Sequence, residues 1–140
     1  MAQRIEDIMT RDVHCVPAET TLRECARIMR DKRIGDVLVT DPKGKLCGIV
    51  TDRDIVVRAV AEGKDLDTCK VGDIRSGQLV KLAPDAPVDE AVRLMRENAI
   101  RRIPVVQDDV PVGIVSIGDL AAHKDPRSAL GQISKAAPNN

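Results

Sequence analysis

Gly48-Ile49-Val50-Thr51-Asp52-Arg53-Asp54-Ile55 and Gly113-Ile114-Val115-Ser116-Ile117-Gly118-Asp119-Leu120 are one phrase written twice, 65 residues apart (48 to 113). Each runs glycine, two β-branched residues, a hydroxyl, two variable positions, an aspartate and an aliphatic residue. β-branched residues favour strands, and a hydroxyl followed by a carboxylate three positions on favours a helix start, so the phrase predicts a strand running into a helix. Upstream the repetition continues. The stretch from Ile5 aligns with the stretch from Val71 at a constant offset of 66 (5 to 71), pairing Asp7 with Asp73, Glu24 with Glu90, Arg27 with Arg93, and Met29 with Met95. The one-residue change of offset falls between turn-forming runs, Asp41-Pro42-Lys43-Gly44-Lys45 in one copy and Gln107-Asp108-Asp109-Val110-Pro111 in the other, where hairpin length can vary.

The rest of each copy is predicted from its period. Leu22, Cys25, Ala26 and Met29, and likewise Val88, Ala91, Val92 and Met95, recur at i, i+3, i+4 and i+7, the spacing of a helix with one buried face. Glu19-Thr20-Thr21 and Asp85-Ala86-Pro87 precede these helices and supply a capping oxygen or a preset φ. Strand-like runs follow at 37–40 and 47–51, and at 103–106 and 112–116. Shorter strands fit 13–16 and 79–82, and second helices begin near Asp52 and Ile117. Each copy is therefore roughly β-α-β-β-α, an α/β (α+β) arrangement. Residues 1–61 form the first repeat, 62–70 a polar linker, 71–124 the second repeat and 125–140 a polar tail. A lone copy of about 60 residues buries little surface, so the two are expected to pack with pseudo-twofold symmetry.

Composition removes whole classes of function. The 140 residues carry 22 Lys plus Arg against 22 Asp plus Glu, which leaves no global field to draw the chain onto nucleic acid or an anionic membrane. Phe, Tyr and Trp are absent, so no ring can stack on a base, and the core must be aliphatic. The four cysteines, Cys15, Cys25, Cys47 and Cys69, have no metal-ligand spacing. No apolar run is long enough for a membrane span, and no signal-peptide core opens the sequence. A cytoplasmic protein with free thiols is expected.

Within the repeated phrase, Thr51 and Ser116 stand at helix starts, where free N–H groups and the helix dipole favour a phosphate. Asp54 and Asp119, three residues on, accept hydrogen bonds only, as the two hydroxyls of a ribose require. The bland alternative is that the hydroxyls are N-caps and the aspartates favourable first-turn charges. His14 and His123 sit in no catalytic or metal-binding pattern, and Asp108-Asp109 reads as a solvated turn.

The ordered repeat of these elements over residues 5–122 resembles the tandem cystathionine-β-synthase (CBS) domain pair. The resemblance rests on GIVTDRDI, GIVSIGDL and the preceding RRIPVV. It implies that Asp54 with Thr51, and Asp119 with Ser116, hold ribose or phosphate, and that Ile103 and Pro104 line an adenine. Arg102 would meet phosphate, and Thr10 and Ser76 would add polar contacts. The first copy carries Asp36 where the second carries Arg102, an acid that repels phosphate and that Arg53 could partly offset. The sites are expected to be unequal. The implied protein is a non-enzymatic module, with no required cofactor or metal, that binds AMP, ADP, ATP, NAD or S-adenosylmethionine between its repeats. It would form a homodimer and signal to a protein effector. The alternative is a structural dimerisation module with no ligand.

Overall fold

Both repeated phrases are strand-to-helix turns in the structure, a computed structural model that describes residues 3–75, 79–125 and 127–135. In chain order the elements are α1 (Ile5–Ile8), β1 (Cys15–Pro17), α2 (Leu22–Lys32), β2 (Asp36–Thr40), β3 (Leu46–Thr51), α3 (Asp52–Ile55), a π-helical continuation (Val56–Val60), α4 (Val71–Ile74), α5 (Val88–Asn98), β4 (Arg102–Gln107), β5 (Val110–Ser116), α6 (Ile117–Lys124) and α7 (Ala129–Lys135). The class is α+β, helices against two small sheets. The chain divides into two units, one of residues His14–Leu79, the other of the described residues up to Val13 and from Val80 onward.

In the His14–Leu79 unit, β2 pairs with β1 in parallel and with β3 antiparallel. Val37, Val39 and Val50 project from one face of this sheet and meet Leu22, Cys25 and Met29 of α2 in a single aliphatic cluster. The helix starts at Thr21, whose Oγ1 accepts from the Glu24 N–H (3.2 Å), and ends where Arg33 turns left-handed at φ 58°. In the other unit β4 and β5 form an antiparallel hairpin, and Ile103, Val105 and Val115 pack on Val88, Ala91 and Met95 of α5. That helix ends on Ala99, left-handed at φ 53°. The hairpin turn places Asp108 and Asp109 at φ 53° and 66°, the two-residue turn whose twist matches the strands, as the solvated-turn reading expected.

The two four-residue helices are where the copies exchange parts. Helix α1 belongs to the first sequence copy, yet Ile5 N–H donates to Ala86 O (2.9 Å) and Glu6 N–H to Pro84 O (2.9 Å), both in the second. Helix α4 belongs to the second copy, yet Val71 N–H donates to Thr20 O (2.8 Å) and Gly72 N–H to Ala18 O (3.0 Å), both in the first. These pairs are equivalent under the 66-residue offset. Ile5 and Val71 are each fully buried in the cluster they join.

The structure refines the sequence reading in four places. The stretch 62–70, read as a polar linker, is seated on α2: the carbonyls of Cys69 and Leu66 accept from Leu22 N–H and Arg23 N–H (both 3.0 Å), donors at the start of that helix. The first strand is Cys15–Pro17 rather than 13–16. Its counterpart at 79–82 shrinks to a single parallel bridge, Leu82 to Val105. Within the polar tail, α7 packs against α6, and Gly131 approaches the Asp125 and Ala121 carbonyls. Pro87 occupies the N-cap of α5 rather than its first turn.

Candidate functional site

At the end of β5, Ser116 keeps an extended backbone and its Oγ accepts from the Asp119 N–H (3.1 Å), while Asp119 Oδ2 accepts from the Ser116 N–H (2.9 Å). This reciprocal box satisfies two donors of the α6 start. Thr51 and Asp54 form the same box at α3, with the same distances (3.1 and 2.9 Å). The capping reading is therefore physically true at both sites. It does not exhaust the carboxylates. Among the described residues Asp119 Oδ1 has no partner and no buried side-chain oxygen or nitrogen lacks one, so this atom faces solvent.

Strand register decides what surrounds each box, because residues directly opposite in an antiparallel pair project to the same face. Arg102 lies across from Ser116, Ile103 from Val115 and Pro104 from Ile114. On the outer side of β5, Thr10 bridges Ile114, donating its N–H to Ile114 O (2.8 Å) and accepting from Ile114 N–H (3.0 Å). Thr10, Ile114, Pro104, Ser116 and Arg102 thus share one face of this sheet, with Asp119 at its end. Ile103 is on the reverse face, fully buried in the core cluster, so of the two residues expected to line a base only Pro104 shares the site's face. Ile114 belongs there instead. The β-alternation through Ser116 carried that signal.

In the His14–Leu79 unit the same register sets Asp36 across from Thr51 and Leu38 across from Ile49. The site's face here carries an acid where the other carries a cation, as the sequence anticipated. Arg53 is exposed, and its side chain makes no hydrogen bond or ion pair among the described residues. The cation that reaches the site is Arg58, which sequence reading passed over: its Nε lies 3.8 Å from Asp54 Oδ1, and its Nη1 donates to Ile74 O (3.3 Å). The i, i+4 spacing from Asp54 was the available signal. Ser76 lies outside the described residues.

The glycine that opens each phrase is required by close approach. A Cβ on Gly113 would stand 2.5 Å from Met9 Sδ and 3.0 Å from Thr10 O, and one on Gly48 would stand 2.6 Å from Arg75 Cδ. Met9 and Arg75 are equivalent under the 66-residue offset. Arg75 is held there by donating to Cys47 O. Elsewhere the chemistry is sparse. Cys25 is buried, which pushes its thiol up to about 11. No group of three or more His, Cys, Asp or Glu side chains among the described residues could hold a metal ion, and no described helix is long and apolar enough to cross a membrane.

The CBS domain model matches residues 5–60 and 71–124. A CBS domain-containing protein of Bacillus subtilis, YhcV, is 36% identical over 127 residues, spanning 91% of this chain and 89% of that one. Hypoxic Response Protein I, solved with two coordinated zinc ions, superposes with a TM-score of 0.79 at 34% identity, over 86% of this chain and 98% of that one. The CBS domain pair of protein MJ0100, solved with methylthioadenosine and S-adenosyl-L-methionine, gives a TM-score of 0.80 at 26% identity, over 91% of this chain and all (100%) of that one.

Proposed function

The chain belongs to the CBS-domain family, and on that premise we propose that it is a regulatory module that binds an adenosine ligand and reports its presence to a protein effector, without catalysis of its own. One observation carries the reading. Register sets the Arg102 cation across from Ser116, while Asp119 keeps a solvent-facing oxygen beside a helix start. A ribose is held by the carboxylate, and a phosphoryl group by the hydroxyl and the cation. Pro104 and Ile114 supply an aliphatic face for the base. The MJ0100 pair, solved with two adenosine-containing compounds, supports this ligand class. AMP, ADP and ATP rank above S-adenosylmethionine at the Asp119 site because of its cation, which would also meet the pyrophosphate of NAD. The opposite charge of Asp36 leaves the Asp54 site better suited to a ligand without phosphate.

A ligand changes a partner's behaviour only if it binds two states of the module unequally, so the reading includes an effector and a homodimer through which the difference is read. Apolar surface for a second copy exists. A groove of about 630 Å³ lies between α5 and α6, lined by Val92, Met95, Ile100, Ile117 and Leu120, and Val56, Val57 and Val60 stand exposed on the other unit. The expected location is the cytoplasm.

The test is a thermal-shift panel with adenosine, AMP, ADP, ATP, NAD and S-adenosylmethionine, run on the wild type and on Arg102→Gln. A ligand of the folded state raises Tm. The reading requires that at least one of these compounds does so, and that Arg102→Gln weakens phosphorylated compounds more than adenosine. If none shifts Tm at millimolar concentration, the module is a structural dimerisation unit whose Ser116 and Asp119 only cap a helix.

A further inference from the structure

The two candidate sites share a backbone design but differ at one ion pair, and we infer that Arg58 is a specificity-determining residue that makes the Asp54 site the weaker of the two for an adenosine ligand. The inference rests on the nucleoside-binding reading above. In both sites one carboxylate oxygen accepts from the backbone N–H of the capping hydroxyl residue. The second oxygen distinguishes them. Asp54 Oδ1 faces Arg58 Nε at 3.8 Å, whereas Asp119 Oδ1 has no partner among the described residues. Arg58 is also anchored at its other end, with Nη1 on the Ile74 carbonyl at the close of α4 (3.3 Å). The guanidinium therefore spans from the ribose-binding carboxylate to the end of a neighbouring helix. Under the 65-residue offset its counterpart is His123, whose side chain makes no hydrogen bond or ion pair among the described residues.

A ribose that places two hydroxyls on one carboxylate needs both oxygens. At Asp119 the second is free to accept, and at Asp54 the guanidinium must first withdraw. The Arg58 side chain is half exposed (51%) and the Asp54 carboxyl is 18% exposed, so the pair is neither fully screened nor fully buried. Releasing such a pair changes an affinity by about two- to five-fold. The sites then fill in order, Asp119 before Asp54.

The experiment is calorimetric titration with adenosine, which has no phosphate for a cation to attract. In an Asp119→Ala background only the Asp54 site reports. Adding Arg58→Ala or Arg58→Met is expected to tighten adenosine two- to five-fold, with circular dichroism confirming the fold of each variant. The reverse exchange, His123→Arg in an Asp54→Ala background, is expected to weaken the Asp119 site. Adenosine binding that Arg58→Ala and Arg58→Met leave unchanged or weaken, while Asp54→Ala still abolishes it, overturns the role of Arg58 alone. Wild-type protein that gives no heat with adenosine, or binding indifferent to both aspartates, overturns the nucleoside reading and the inference with it.

Discussion

Asp119→Ala separates the two duties of one carboxylate. In the folded chain Asp119 Oδ2 holds the Ser116 N–H at 2.9 Å, so truncation removes half of the capping box and costs about 1 kcal/mol, a fall in Tm of roughly 3–6 °C. If the other oxygen, together with the charge, holds a ribose, its loss removes charge-assisted hydrogen bonds worth about 1.5–3 kcal/mol, a weakening of roughly 10- to 150-fold. Two companions calibrate the result. Asp119→Asn keeps a neutral acceptor for the Ser116 N–H and is expected to lose less stability than Asp119→Ala while still losing affinity. Ser116→Ala loses its cap on the Asp119 N–H (3.1 Å), costs a similar ~1 kcal/mol, and leaves the carboxylate in place. Urea unfolding gives the stabilities and calorimetry with the compound that shifts Tm most gives the affinities. The reasoning fails if Asp119→Ala loses about 1 kcal/mol of stability yet binds as tightly as the wild type, for the carboxylate would then be a cap and nothing more.

Gly113→Ala drives a methyl onto Met9 Sδ and the Thr10 carbonyl, and Gly48→Ala drives one onto the Arg75 stem, whose Cβ (2.9 Å) cannot swing aside, so each should cost about 1–3 kcal/mol; a neutral result for either in urea unfolding would refute the close approach. Ala99→Gly relieves a left-handed residue at the end of α5 and should stabilise the fold by about 0.5–1 kcal/mol, and any loss of stability would contradict the geometry. Because burial holds the Cys25 thiol up to about 11 against an ordinary 9.0, the folded state keeps a proton that the unfolded state releases. That contribution is whole below the unfolded value and is lost as pH rises toward the folded one, so stability should decline between pH 9 and 11, and the decline should be shallower in Cys25→Ala. A thiol reagent at pH 8 should leave Cys25 unmodified in the native protein while reaching Cys15, which is exposed.

What could be read from the sequence was what repeats with a short period. The apolar stripe from Leu22 to Met29 and the alternation from Cys47 to Thr51 both report a buried face, and both became the elements they implied. The opposed charges at Asp36 and Arg102 were visible because the copies could be aligned. The four-residue helices α1 and α4 were not, since one turn contains no period to detect, and α4 follows a stretch that composition alone marks as a linker. What holds 62–70 in place is a pair of backbone carbonyls on the start of α2, an interaction that uses no particular side chain and so leaves no mark in the residue pattern. Arg58 escaped for a different reason. On a helix an i, i+4 acid–base pair is ordinarily a solvated surface contact, and only the Ile74 carbonyl at its far end makes this one part of a site.

The reciprocal placement of α1 and α4 bears directly on how the sites are made. Met9 and Thr10 come from the first sequence copy, yet they fit against Gly113 and Ile114 of the second, so the face that carries Ser116 and Arg102 is completed by the opposite copy. Neither copy builds that face alone. A fragment of 71–124 alone would leave the places of Ile5 and Met9 in its aliphatic cluster empty and the outer side of β5 unpaired, and would lose fold and site together. Duplication with exchange thus ties both sites to one covalent chain while leaving the side chains around each free to diverge. The divergence falls on charge: Arg102 against Asp36, His123 against Arg58. The capping box is the same in both, down to matching 2.9 and 3.1 Å distances, so the two candidate sites differ not in that box but in the side chains around it, those charges and the exchange of Pro104 for Leu38 among them.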